Sequence, residues 1–409
     1  MGGYVGEARR RTLLPRVEPG PAGVIEAGGH PIIPFPAAPE DNEGMGTSEH
    51  ESAGGGRVFS DRVMAAATGF ADLVSIAMGD KLGWYRALAA AGGEGLTPEA
   101  LAQRTGTDPR YAREWLEQQA VSGLLNASWQ MENGGFRFSL PPGAEATLVD
   151  EDSLENLAPM VRMFLAGIAN FPELMRAYRF GGGVPWAVVG DGARDSQARG
   201  NKAWYETRLA AALAGVGDVH ATLSKSGSRI LDLGAGYGWS TLALATAYPQ
   251  ASVVGIDIDE PSILRAREHA SERHLSDRVE FLHADAAGWQ EPDSADAVFI
   301  FEALHDMPFP VRVLASMHTM VKPDGVVVVM DEAVADAFDP PGDEVERLMY
   351  AYSLLICLPD SLATSGSVGT GTLMRQSTLE RYALDAGFSR VERLPIEEFS
   401  VFRFYRLFP

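Results

Sequence analysis

The sequence predicts an α/β fold: a doubly wound, mostly parallel sheet preceded by a smaller α-helical domain. Three observations carry this expectation. Apolar runs recur from residue 228 onward, at residues 230–233, 253–257, 279–285, 297–301 and 326–330, with helical segments between them. Such alternation builds a parallel sheet covered on both faces. Residues 229–240 join a short apolar strand through Gly234, Gly236 and Gly238 to a run of good helix formers, the first half of a βαβ unit. Upstream, from Arg57, the spacing is helical and closes in a hairpin signal at Asn133, Gly134 and Gly135.

The 409 residues, 46% of them hydrophobic, suffice for two or three domains with a large core. A formal net charge of −21 argues against nucleic acid as a partner, because phosphate binding needs a basic face. One cysteine, Cys357, excludes an internal disulfide framework and fits a reducing compartment. No apolar run has the length of a membrane span on this reading, since Asp72 interrupts residues 63–78, and no signal-peptide core follows Arg9, Arg10 and Arg11. The expectation is a soluble, cytoplasmic protein.

Residues 1–55 are rich in Gly, Pro, Glu and Ala without a sustained period, and are expected to be a disordered tail in which Met45 is an alternative start. Residues 56–150 are expected to form a winged helix. The pattern is helical from Arg57 to about residue 91, with Val63, Ala66, Phe70, Leu73, Val74, Ala77 and Met78 at three- and four-residue spacings. Thr97 and Asp108, each followed by proline, cap two more, the second with Ala112, Trp115, Leu116, Ala120 and Val121 inward. Arg110 and Arg113 on that helix are offset by Glu114 and Glu117, a poor DNA-reading face. Residues 151–227 form a helical connector, broken at residues 180–186. Its apolar stripe and aromatics, Trp204 and Tyr205 among them, suit the roof of a substrate pocket at a domain junction. Residues 228–409 form the sheet domain. In it Lys322, Pro323, Asp324 and Gly325 read as a turn before the fifth strand, and the last two apolar segments read as an antiparallel hairpin.

The spacing Gly-x-Gly-x-Gly differs from the dinucleotide pattern, and Asp232 stands two residues before the first glycine. A carboxylate there opposes a pyrophosphate and suits a cofactor with ammonium and sulfonium groups. Asp257 ends the second run, at the offset of a ribose-binding acid, and Asp285 ends the third. This set resembles the S-adenosylmethionine site of class I methyltransferases. The resemblance implies a seven-stranded Rossmann-like sheet and S-adenosyl-L-methionine as cofactor. It implies cofactor contacts at Asp232, Gly234, Gly236, Gly238, Asp257 and Asp285, with Ile258, Ala286 and Phe301 beside them.

His305 lies just past the fourth strand, and Asp331 and Glu332 end the fifth. An imidazole can take a hydroxyl proton at neutral pH, and an acid beside it can orient the ring. Leu304, His305 and Asp306 resemble the Leu-His-Asp-Trp motif of small-molecule O-methyltransferases that dimerise through an N-terminal winged helix; Met307 replaces the tryptophan and Asp331 the glutamate. Residues 302–306, 330–333, 369–375 and 402–407 are similar to bacterial winged-helix methyltransferases. The resemblance implies a homodimer that methylates a small, hydroxylated acceptor, with His305 as general base supported by Asp331. No spacing of His and Cys suggests a metal site. A winged-helix regulator with a ligand-sensing fold, or a non-methylating enzyme, is the alternative.

Overall fold

The computed structural model describes residues 50–131, 134–397 and 399–409. Residues 1–49, with Met45, and the hairpin residue Asn133 lie outside them. Residues 62–409 form one compact unit that holds the small domain, the connector and the sheet.

The first helix, α1 (His50–Lys81), starts within the stretch expected to be tail. A break at Leu82 and Gly83 separates it from α2 (Trp84–Ala91), so the helical stretch expected to about residue 91 is two helices. Gly83 has φ of +73°, a conformation that ends a helix. Against expectation, Arg57–Lys81 is long and apolar enough to cross a membrane by length and composition alone. A single acid such as Asp72 does not interrupt a helix, although it interrupts an apolar run. Val63, Met64 and Phe70 are each more than half exposed, whereas Leu73 and Val74 are half-buried and Ala77 is buried, so the apolar stripe of α1 is covered only towards its C-terminal end.

Helices α3 (Pro98–Thr105) and α4 (Pro109–Val121) begin where the sequence places them. Thr97 Oγ1 accepts the Ala100 N–H at 3.2 Å, and Asp108 accepts from Arg110 and Tyr111. Strands β1 (Asn126–Gln130) and β2 (Gly135–Ser139) pair antiparallel, completing the helix–helix–hairpin order. Trp84, Tyr85, Leu101, Trp115, Leu116 and Phe138 fill its core. Val121 is not part of it: nine residues on from Ala112 it lies half a turn round the helix and is 89% exposed. Gln119 takes the inward position and accepts a hydrogen bond from the Tyr85 hydroxyl. Arg110 pairs with Glu114 and Arg113 with Glu99, so the exposed arginines of α4 are already neutralised.

The connector contains α5 (Ala158–Ile168), α6 (Phe171–Phe180) and α7 (Asp191–Trp204), with a wider turn at Tyr205–Leu209. The break between α6 and α7 is a close approach. A Cβ on Gly183 would lie 1.9 Å from the Pro359 carbonyl, whose oxygen accepts the Val184 N–H at 2.9 Å. The glycine run thus docks the connector on the helical segment that precedes residue 362.

The sheet has seven strands in the order β5-β4-β3-β6-β7-β9-β8. Strands β3 (Arg229–Leu233), β4 (Ser252–Asp257), β5 (Val279–His283), β6 (Ala295–Phe301) and β7 (Val321–Glu332) are parallel. Strand β9 (Phe402–Phe408) runs against β7 and pairs antiparallel with β8 (Arg390–Arg393). Lys322, Pro323, Asp324 and Gly325 lie inside β7 at a register shift, rather than in a turn before it. Both faces are covered. Leu242, Ile263, Phe299 and Phe404 pack on one side, and Leu231, Val298, Leu314 and Phe388 on the other. The strand order reverses between β3 and β6, which opens a crevice beyond their carboxyl ends.

Candidate active site

A cavity of about 620 Å³ occupies that crevice, between the strand ends and the connector. Its sheet side begins at the turn after β3. Gly234 and Gly236 have φ of +76° and +51° and border the cavity. A Cβ on Gly234 would meet that of Ala303 at 2.7 Å, whereas the space over Gly236 is open. The Gly236 N–H donates to Asp257 Oδ2 at 2.8 Å, and Asp257 Oδ1 accepts the Asp259 N–H at 2.8 Å. The glycine turn and the acid of β4 are therefore one unit. Burial raises the Asp257 pKa. Ile258, Asp285, Ala286 and Phe301 also border the cavity, and Asp285 Oδ1 accepts the Ala287 N–H at 2.9 Å.

Two residues expected to touch a cofactor do not reach the surface. Asp232 is fully buried behind the turn, where Ser240 and Thr241 hydroxyls both donate to Oδ2 at 2.6 Å. Desolvation pushes it up to about 6. It braces the start of α8 (Trp239–Ala247) and holds the glycine turn. Gly238 is a packing glycine, since a Cβ there would lie 2.5 Å from the Phe281 ring.

The second half of the site follows β6. His305 is 2% exposed. Its Nδ1 lies 3.0 Å from Asp331 Oδ1 and 3.1 Å from Glu332 Oε2, and its Nε2 lies 3.3 Å from Asp306 Oδ1. Burial alone would depress the imidazole, but Asp306, Glu332 and Asp331 override it and raise its pKa well above the ordinary value. Asp331, although buried, is held below the usual carboxylate range by that imidazole; burial drives Glu332 the other way. Asp331 is thus the charged partner of His305. Ligand atoms of His305, Asp331 and Glu332 all lie within 4.8 Å of one another, as do those of His305, Asp306 and Cys357, near enough to hold an ion. Spacing rules miss such groups because their members come from separate segments.

The roof brings Arg194, Asn201 and Asp360, which the sequence did not single out, beside aromatics such as Trp204, which it did. Arg194 on α7, 6% exposed at its side chain, forks onto Asp259 with both contacts at 2.8 Å and reaches Asp191 at 2.8 Å. Asn201 on α7 donates to Glu302. Glu302 has φ of +51°, a strained conformation for a non-glycine residue that turns the chain sharply at the end of β6. Asp360 accepts the Trp186 N–H at 2.7 Å. Met163, Trp186, Trp204, Tyr352 and Ile356 supply the apolar wall, and Met307 sits against the glycine turn. Tyr352 packs on Phe164 with ring centres 4.7 Å apart. A carboxylate at each of two neighbouring strand ends, a backbone turn without side chains and an apolar end beside an imidazole fit a nucleoside-bearing cofactor next to a small acceptor.

Known proteins agree with this geometry. Residues 224–366 match the family described as a methyltransferase domain. The 27-O-demethylrifamycin SV methyltransferase of Amycolatopsis mediterranei is 36% identical over 126 residues, 31% of this chain and 44% of that protein. A ubiquinone biosynthesis O-methyltransferase of Methylococcus capsulatus is 30% identical over 172 residues, 41% of this chain and 66% of that protein. The chain thus spans less than two thirds of either relative. The folds agree over a greater length. Mitomycin 7-O-methyltransferase superposes with a TM-score of 0.63 at 22% identity, covering 87% of this chain and 99% of that one. Human N-acetylserotonin methyltransferase, in complex with S-adenosylmethionine, gives 0.65 at 19% identity, covering 89% and 99%. Residues 224–366 are thus similar to a methyltransferase domain, and the seven-stranded sheet with its glycine turn has the fold of these methyltransferases.

Proposed function

We propose that this protein transfers a methyl group from S-adenosylmethionine to the hydroxyl of a small aromatic acceptor, as a cytoplasmic homodimer. The observation that carries the reading is that the glycine turn with Asp257 and the His305–Asp331 pair open on one cavity. When bound, S-adenosylmethionine supplies an electrophilic methyl group on a sulfonium. Asp257 is placed to accept hydrogen bonds from ribose hydroxyls, and Asp285 and Ala286 to border the base. Gly234 and Gly236 leave their side of the cavity free of side chains. His305 takes the acceptor proton at Nε2, the nitrogen not committed to Asp331, and Asp331 stabilises the imidazolium. The apolar wall excludes water and orients the acceptor ring. Exposed Val63, Met64 and Phe70 on α1 support a second copy as the occupant of that face. A DNA-binding regulator is the less well supported reading, because Arg110 and Arg113 are paired with acids.

Calorimetric titration with S-adenosylmethionine and S-adenosylhomocysteine tests the cofactor. Binding should be micromolar, and Asp257→Ala should weaken it at least about tenfold. Unchanged affinity in that variant would remove the site assignment. A mass gain of one methyl on a phenolic acceptor then tests the transfer.

A further inference from the structure

The acceptor end of the cavity has an uneven charge balance. Glu302, Asp306, Glu332 and Asp360 border it, against the single imidazole of His305. Among the described residues, Arg194 is the one guanidinium on the wall, and it is engaged with Asp191 and Asp259. Glu332 is 4% exposed and borders the cavity, and its Oε2 shares the single His305 Nδ1 with Asp331, at 3.1 Å and 3.0 Å. One imidazole N–H cannot satisfy two buried acids, so the shortfall costs free energy until something positive or protic meets it. The side chains of Asn201 and Gln197 give Glu302 hydrogen bonds but no charge. Burial pushes Glu302 up to about 7 despite the His305 imidazole nearby, and pushes Asp360 likewise to about 7.

We propose that the acceptor carries a basic amine as well as its hydroxyl, and that Glu302 binds the ammonium. This rests on the methyl-transfer reading of the same cavity and narrows it to a substrate class. An incoming ammonium supplies the missing positive charge, forms charge-assisted hydrogen bonds with Glu302, and leaves the neighbouring carboxylates a common counter-ion. Trp186, Trp204 and Tyr352 offer aromatic faces that attract a cation while they pack on an apolar ring. A carboxylated or phosphorylated acceptor would bring like charge into the same space, which the site rejects. Glu302 thereby acts as a specificity determinant, while His305 handles the proton of the hydroxyl.

The test uses the full chain saturated with S-adenosylhomocysteine. Three catechols with similar rings and different side chains are titrated into it: 3,4-dihydroxyphenethylamine, 4-ethylcatechol and 3,4-dihydroxyphenylacetate. The amine should bind at least about tenfold tighter than the acetate, with the neutral catechol between them. Glu302→Gln should cut that preference to about threefold or less, with S-adenosylhomocysteine affinity held within about twofold. Equal or tighter binding of the acetate, no binding of the amine, or a preference that survives Glu302→Gln overturns the proposal. Loss of S-adenosylhomocysteine affinity in Glu302→Gln also overturns it, by assigning the carboxylate to the cofactor. Failure of the unaltered chain to bind S-adenosylhomocysteine is a separate result, read before any catechol is added, and it sinks the methyl-transfer reading itself.

Discussion

His305 is held by carboxylates on both ring nitrogens, and this has a measurable consequence for rate against pH. A base acts in its deprotonated form, so a raised pKa moves the rising limb of kcat/KM to higher pH. The midpoint should lie above the ordinary histidine value of roughly 6.5. Asp331→Asn removes one of the negative charges that raise it, and should shift the midpoint down by roughly one unit. An unmoved midpoint would show that another group titrates. His305→Ala should slow turnover on the order of 10²–10⁴-fold with cofactor affinity unchanged, and a loss under about fivefold would take the ring out of the proton transfer. Most of this was legible in the sequence, because the acids stand at strand ends and His305 follows one. Asp232 and Gly238 were misplaced for a physical reason. The motif specifies a turn, and a turn needs internal bracing as well as cofactor contacts; Asp232 serves Ser240 and Thr241, and Gly238 serves Phe281.

At the scale of elements, α7 carries the roof and the loop after β4, just past Asp257, carries Asp259. Arg194 joins them through Asp259, which also caps the helix that begins at Glu260. Arg194→Ala leaves Asp259 without its partner in a largely buried position, a change that costs on the order of 3 kcal/mol. Thermal unfolding should fall accordingly, and both the cofactor affinity and the KM for the acceptor should worsen, because one contact positions both walls. A loss confined to stability would show that the roof is held by other contacts. The sequence did not signal this link, since Arg194 and Asp259 are 65 residues apart and each belongs to an ordinary helical or turn pattern. The parallel strands were legible because each carries a short apolar run between helical segments; β7 was longer than expected because a register shift lets it carry Pro323 and Gly325.

At the scale of the whole molecule, α1 leaves Val63, Met64 and Phe70 exposed on a stretch that the rest of the described chain does not cover. Sedimentation at micromolar concentration should give twice the mass of one chain, and Met64→Asp with Phe70→Asp should give a monomer. A monomeric unaltered protein would overturn the dimer. The sequence indicated an amphipathic helix here, but which side it buries depends on a neighbour that periodicity cannot name. The contact between Arg194 and Asp259 has one more consequence, for redesign. Exchanging residues 151–227 with those of a relative is an obvious route to a new acceptor range, and the loop after β4 would seem a bystander in such a graft. In this chain it is not. A transplanted roof without an arginine at position 194 would strand Asp259, and a transplanted sheet without that acid would strand the arginine, so functional chimeras should be those that inherit both residues from one parent.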